Sequence, residues 1–469
     1  MTIPVPADFI AKLKAVLGPG GWSDDPDKLA VKLTESRDRW TGTTPLLTLP
    51  RTTAEVSAIV GLCAESGVAI TPQGGNTGLV GGQIPQGEIL LSLERMNAIR
   101  DLDTADDVIV AEAGVTLAAV REAAANAGRL FPLGLASEGS ATIGGNISTN
   151  AGGTQVLRYG NMREQVLGLE AVLPNGEIWN GLKRLRKDNT GYDLKQLLIG
   201  AEGTLGVITA ASLKLRPLLP SRAVAFVGLK TPADAVSLLM RARDETGGAL
   251  EAFELISRAG MGLVIKHIPD QREPLADEHP WYVLIETASG EPGSAEAAME
   301  RLLAHAFEDG LIQDAAIAQT DAQARAFWAL RENQSGAQKR EATAWKHDVS
   351  VPVSRIAGFI EESTAAIARR WPEVRVVAFG HVGDGNVHYD VLPAPGGDPA
   401  VHAARRDEAA TLVHDLVVSL GGSISAEHGL GMMKTAEALH YKSPVEVEAQ
   451  RAIRRALDPK RIMNPRVLF

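Results

Sequence analysis

Apolar positions along the chain fall at two spacings, separated by clusters of glycine and small polar residues. Residues 7–17 repeat at helical spacing. Pro50-Arg-Thr-Thr-Ala-Glu55 opens a second helix: Thr52 or Thr53 can cap it, Val56, Ile59, Val60 and Cys63 share one face, and Gly67 closes it. Short apolar runs at 68–71, 89–93, 108–113 and 207–215 read as strands, with a helix at 117–127. Pro217-Leu-Leu-Pro220 marks a boundary. Beyond it, 223–229 and 282–287 predict strands, and 234–245, 294–308, 321–333, 412–420 and 444–457 predict helices. The order suits an α+β protein whose second half carries a sheet covered on one face.

One stretch concentrates chemistry: Phe379-Gly-His-Val-Gly-Asp-Gly-Asn-Val-His-Tyr-Asp390. Apolar runs lead in (374–379) and out (387–392). Asp384-Gly385 is a dipeptide suited to a two-residue type I′ turn. Centred there, the hairpin sets His381 opposite His388, about 5 Å apart at the side-chain root, with Asp390 opposite Phe379 on the same face. Downstream, Ser425-Ala-Glu427-His428-Gly429 follows an apolar helix-like run. Two histidines and a glutamate, with another histidine beside them, form a ligand set for a divalent metal with an open position. Neighbours in an extended loop point apart, so Glu427 and His428 should divide metal binding and proton transfer between them.

Three further segments are built of small residues. Pro72-Gln-Gly-Gly-Asn-Thr-Gly78, with Gly81-Gly82, follows a strand, but no helix opens behind it and no Lys-Ser/Thr ends it. It is therefore neither a Rossmann fingerprint nor a P-loop, and reads as a nest of backbone N–H groups or a plain turn. The other two are 132–153 and Gly200-Ala-Glu-Gly-Thr-Leu-Gly206; small residues let backbone approach a large ligand closely.

The chain has 469 residues, enough for two or three domains. Its net charge of −10 argues against a nucleic-acid surface, and Lys183-Arg-Leu-Arg-Lys187 reads as a solvated loop. The single cysteine, Cys63, excludes an intrachain disulfide, fits a reducing compartment and sits in a core pattern. No run reaches membrane-spanning length and the first 18 residues lack a signal-peptide core, so a cytoplasmic protein is expected.

Together, Gln73-Gly-Gly-Asn-Thr-Gly78, Ile143-Gly-Gly-Asn with Asn150-Ala-Gly-Gly153, and Gly200-Ala-Glu-Gly-Thr-Leu-Gly206 resemble the FAD-binding domain of the vanillyl-alcohol-oxidase (PCMH-type) flavoproteins. Gly-His-Val-Gly-Asp-Gly-Asn-Val-His and Glu427-His428-Gly429 narrow the resemblance to the metal-dependent D-2-hydroxyacid dehydrogenases, over about residues 45–469. It implies a PCMH-type FAD-binding domain at 1–218 (core about 45–218), an antiparallel-sheet substrate domain of the FAD-linked oxidase C-terminal type at 219–420, and a C-terminal helical return at 421–469. FAD would contact Pro72, Gly74, Gly75, Asn76, Thr77, Gly78 and Gly82. Along the second loop it would meet Ser137, Gly139, Ser140, Thr142, Gly144, Gly145, Asn146, Ser148, Thr149, Ala151 and Gly152. Glu202, Gly206, Ile208 and Asn464 would complete its site. Residues 72–82 hold no histidine, so the flavin should be non-covalent.

The resemblance further implies His381, His388 and Glu427 as ligands of a divalent metal, zinc first, then manganese or cobalt, and His428 as the base. Arg331, Ser335, Lys346, Asp390 and His428 would bind substrate, Arg331 and Ser335 lying four apart on one helix face. The expected reaction is oxidation of a D-2-hydroxyacid, D-2-hydroxyglutarate ahead of D-malate and D-lactate. Asp390 stands where Asn is usual among the hydroxyglutarate enzymes. An electron-transfer flavoprotein or a quinone would accept the electrons, and a homodimer is compatible. A zinc-dependent hydrolase with structural glycine loops and an O2-using flavin oxidase are the competing classes.

Overall fold

The computed structural model describes residues 5–35 and 39–469. They form two compact units. The first comprises 1–153, 160–218 and 427–469, and the second 154–159 and 219–426.

The first unit carries a four-stranded sheet and a five-stranded antiparallel one. In the four-stranded sheet, Ile70–Gln73 and Leu47–Thr48 flank Ile89–Ser92 in parallel. Helix Thr53–Ser66 covers it; Thr52 caps the helix on the Glu55 N–H, and Gly67 ends it at φ 69°. That helix buries Val56, Ile59, Val60 and Cys63 as its spacing predicts, and burial pushes the Cys63 thiol pKa well up, as suits core rather than a nucleophile. The five-stranded sheet is ordered Ile99–Asp103, Val108–Glu112, Val207–Lys214, Val166–Val172, Ile178–Gly181. The small-residue segment after Pro132 is ordered and includes a short helix, Ile143–Ser148, whose isoleucines enter the core.

The C-terminal residues are fixed by one buried cation. Helix Pro444–Leu457 presents Arg454, whose guanidinium donates to the carbonyls of Met463 (2.8 Å) and Val467 (2.6 Å). Asp458 accepts the N–H groups of Ile462 and Met463. Asn464 is thereby held at φ 42°, with its Nδ2 donating to the carbonyls of Gly82 and Glu202 (2.9 Å each).

The second unit is a seven-stranded antiparallel sheet. Its strands run Asp314–Ile317, Ser221–Leu229, Trp281–Ser289, Leu250–Ser257, Arg375–His381, Asn386–Leu392, Trp345–Ser350. Helices cover both faces, not one. Alternate residues of Ser221–Leu229 show this: Ala223, Ala225 and Val227 join one core, Val224 and Phe226 another. The strand is apolar on both sides because neither meets water. Phe253→Ala, in the first of these cores, is expected to destabilise the protein by about 3–5 kcal/mol, measured as the shift in guanidinium unfolding midpoint.

Candidate active site

The hairpin forms, in a register two residues from the expected one. Phe379, not His381, lies opposite His388, and Val377, not Phe379, lies opposite Asp390. The strands end at His381 and begin again at Asn386, so residues 382–385 make the connection. Asp384 does not take the positive φ that a type I′ turn needs; Gly385 alone does, at 91°. The longer loop lets Val382 bury its side chain completely in the sheet's core. A two-residue shift preserves the face on which each side chain lies. The two imidazoles therefore still converge, with ring centroids 5.8 Å apart.

Each histidine has a carboxylate on the neighbouring strand. Glu254 lies directly across from His381, and its Oε1 accepts from Nδ1 at 2.7 Å. Asp348 lies directly across from His388, Oδ1 at 3.8 Å from Nδ1. A proton on Nδ1 of His381 leaves Nε2 with its lone pair, and the Arg331 guanidinium sits 3.3 Å from it. A carboxylate hydrogen-bonded to one ring nitrogen, as at His381, is a common support for an imidazole that ligates metal.

The third ligand follows from the chain path. Ser423 exchanges backbone bonds with Ser350, and the Ala426 N–H donates to the Asp348 carbonyl at 3.3 Å. Ala426 is thus tied to the residue paired with His388, and Glu427 is joined to Ala426 by its peptide bond. Ligand atoms of His381, His388 and Glu427 lie within 4.8 Å of one another. Two imidazoles and a carboxylate in that space fit a divalent cation with positions left for substrate. His428 is half-buried beside Glu427.

Of the expected substrate residues, Arg331, Lys346 and Asp390 have partners within the fold. Arg331 is buried, and its Nε donates to Glu254 Oε2 at 2.7 Å. Burial alone would raise the Glu254 carboxyl pKa, but His381 and Arg331 outweigh it and hold it below the ordinary carboxylate range. Ser335 does not share a helix face with Arg331: one helix ends at Glu332, the next starts at Gln334, and Ser335 is exposed. Asn333 at the junction closes the first helix and opens the second. Lys346 and Asp390 are direct cross-strand partners, Nζ to Oδ2 3.6 Å. Glu254 is the residue that sequence reasoning missed. It lies with Glu251 in an otherwise largely apolar strand, and two charges in a wholly buried run were the available signal.

The flavin segments belong to the first unit and have the features of a cradle. A Cβ on Gly75 would lie 1.8 Å from the Ser140 carbonyl oxygen, and one on Gly74 2.3 Å from Thr142 Oγ1. Among the described residues, Thr142 Oγ1, Asn146 Nδ2 and Asn464 Oδ1 are buried without a hydrogen-bond partner. Such groups suit a polar ligand that supplies both donors and acceptors. Other expected contacts serve the fold through their side chains. Asn76, at φ 55°, donates to the Thr34 carbonyl; Ser148 and Thr149 bond to carbonyls of their own helix; Ile208 is core. The Glu202 carboxylate accepts the N–H groups of Leu430 and Gly431.

Comparison with known proteins agrees with this assembly. Residues 218–468 match the model for the C-terminal domain of FAD-linked oxidases, and 45–181 that for an FAD-binding domain. The chain belongs to the FAD-linked oxidase family. It is 39% identical over 462 residues to a probable mitochondrial D-2-hydroxyglutarate dehydrogenase of Oryza sativa subsp. indica, covering 98% of this chain and 81% of the relative. It is 38% identical over 457 residues to the mitochondrial D-2-hydroxyglutarate dehydrogenase of Arabidopsis thaliana (97% and 80%). A putative mitochondrial D-lactate dehydrogenase of Schizosaccharomyces pombe is 37% identical over 457 residues (94% and 85%). The crystal structure of p-cresol methylhydroxylase with substrate bound shares the fold at TM-score 0.76 and 16% identity, covering 100% of this chain and 99% of the other. This FAD-linked oxidase is an FAD-dependent oxidoreductase similar to the D-2-hydroxyglutarate dehydrogenases, which sets aside the hydrolase alternative.

Replacing Glu254 with Gln strands the Arg331 cation in the sheet. Glu254→Gln is expected to lower stability by about 3–5 kcal/mol, and adding Arg331→Met to recover a large part of it. Guanidinium unfolding of the flavoprotein measures both; equal stability of Glu254→Gln and wild type would contradict the pairing.

Proposed function

We propose that the chain oxidises a D-2-hydroxy dicarboxylate, D-2-hydroxyglutarate first, to the 2-oxoacid. The observation that carries the reading is the carboxylate-backed histidine pair with Glu427 beside it. Bound FAD supplies the hydride acceptor for the C–H bond. A divalent cation, zinc by its N2O donor set, would be held by His381, His388 and Glu427 and supply Lewis acidity toward the hydroxyl and carboxylate oxygens.

The chain's own residues supply the rest. Glu254 holds His381 in one tautomer and orientation, and Arg331 keeps Glu254 ionised. An imidazole nitrogen of His428 takes the hydroxyl proton, while Glu427 would hold the metal with the two histidines. Lys346 orients a substrate carboxylate. An ammonium can donate three hydrogen bonds, so its approach to Asp390 is compatible with that role. Arg331 holds Glu254 through Nε and reaches His381 Nε2 with its other end.

A second reading has one observation in its favour. Asp390 sets a buried carboxylate opposite Lys346 and offsets the charge that would otherwise favour a dianion. That balance suits a monocarboxylate such as D-lactate, with D-malate intermediate. The electron acceptor is an electron-transfer flavoprotein or a quinone in either case; no described helix is long and apolar enough to cross a membrane.

His428→Asn should keep FAD and metal and slow flavin reduction about 10²- to 10⁴-fold, read by anaerobic stopped flow. Reduction at the wild-type rate would mean another base. Lys346→Met should raise KM for D-2-hydroxyglutarate about 10- to 100-fold, the worth of a charged hydrogen bond, and raise it much less for D-lactate. Equal losses would place Lys346 on the carboxylate common to both and favour the monocarboxylate reading.

A further inference from the structure

Glu202 is the residue whose role in the reaction nothing above explains. It stands in the Gly200–Gly206 turn at φ 50°, a left-handed conformation uncommon for a side chain of its size. Its backbone N–H donates to the Ser148 carbonyl at 2.8 Å, and its own carbonyl accepts Asn464 Nδ2 at 2.9 Å. Its carboxylate divides between two donors: Oε1 takes the Leu430 N–H at 2.9 Å and Oε2 the Gly431 N–H at 2.8 Å. A Cβ at Gly429 would come within 2.8 Å of Oε1, so glycine there admits the carboxylate to the backbone. Both oxygens are engaged by the strand of chain that carries Glu427 and His428.

We propose that Glu202 is a positioning residue. Its carboxylate fixes the peptide planes of residues 429–431 and thereby sets the directions in which Glu427 and His428 project. The inference rests on the metal-and-base reading above. It follows from the alternation already noted: Glu427 and His428 can do separate jobs only if the backbone between them holds one conformation. A loop of Gly429-Leu-Gly431, with both glycines at positive φ (75° and 51°), has little intrinsic preference for that conformation. Two hydrogen bonds to one half-buried carboxylate supply the preference. Glutamine could supply only one acceptor oxygen, its amide NH2 facing an N–H that has nothing to bond. Because Glu202 also binds Ser148 and Asn464 through its backbone, the latch is anchored independently of its side chain, and the side chain can be changed without removing those ties.

The test uses the full-length FAD-loaded protein and the variants Glu202→Gln and Glu202→Ala. Amide hydrogen exchange at Leu430 and Gly431 should be about 10-fold or more faster in Glu202→Ala, and intermediate in Glu202→Gln. The zinc dissociation constant, from chelator competition, should rise about 10- to 100-fold in Glu202→Ala and less in Glu202→Gln. FAD should stay equimolar in both. Unchanged exchange in Glu202→Ala would overturn the latch. Faster exchange with unaltered zinc affinity and flavin-reduction rate would overturn the positioning role, and loss of FAD from both variants would make Glu202 a cofactor residue instead. If the wild type binds zinc but no 2-hydroxyacid reduces its flavin, the substrate reading fails, and exchange and zinc affinity still decide the role of Glu202. If the wild type binds no zinc, the metal reading fails, and exchange with flavin reduction decides it.

Discussion

The second unit is organised around one buried carboxylate. Glu254 sits in the middle of a sheet with essentially no exposure, a location that is costly for an ionised group without partners. It has two, the His381 imidazole and the Arg331 guanidinium. The three form a triangle that joins an interior strand, the hairpin and the helix Asp321–Glu332. Moving any one leaves a charge or a donor stranded, so the triangle pins the hairpin, and His381 with it, to the sheet. At His388 the neighbouring carboxylate, Asp348, stands farther off at 3.8 Å and accepts instead from Asn386 Nδ2. A face built this way presents two imidazoles at a fixed separation before any ligand arrives, as metal-assisted catalysis requires.

Local signals in the sequence were legible where the physics is local. The Thr52 cap and the Gly67 stop bound their helix as read, and the helices at 7–17, 294–308 and 444–457 stand where apolar spacing put them. The convergence of His381 and His388 was legible because parity along a strand is robust to a shift of two. The register was not, because a completely buried Val382 favours a longer loop than Asp384-Gly385 suggests. Coverage of the sheet on both faces was hidden for a related reason: short apolar runs do not reveal how many sides they bury. Glu254 was hidden because its partners are 77 and 127 residues away in the chain.

The site residues divide along the same line. His381, His388 and Glu427 could be picked out as a ligand set from residue type and loop context, and their donor atoms are close together. Arg331 could be picked out by resemblance, and its contacts with Glu254 and His381 could not. Ser335 looked equivalent to Arg331 only on the assumption of one continuous helix. In the first unit, small residues leave room for neighbouring backbone. The Ser140 carbonyl beside Gly75 shows why alanine would not serve there.

Anaerobic reduction of the bound flavin by D-2-hydroxyglutarate, followed at its visible absorbance before and after metal removal, bears most directly on the central claim. The metal-replete protein should bleach with the D enantiomer and not with the L enantiomer. Protein shown by elemental analysis to be metal-free should keep its FAD, lose bleaching, and regain it on addition of zinc, manganese or cobalt. Bleaching at an unchanged rate without metal, or equal bleaching by both enantiomers, would contradict a catalytic centre built on His381, His388 and Glu427.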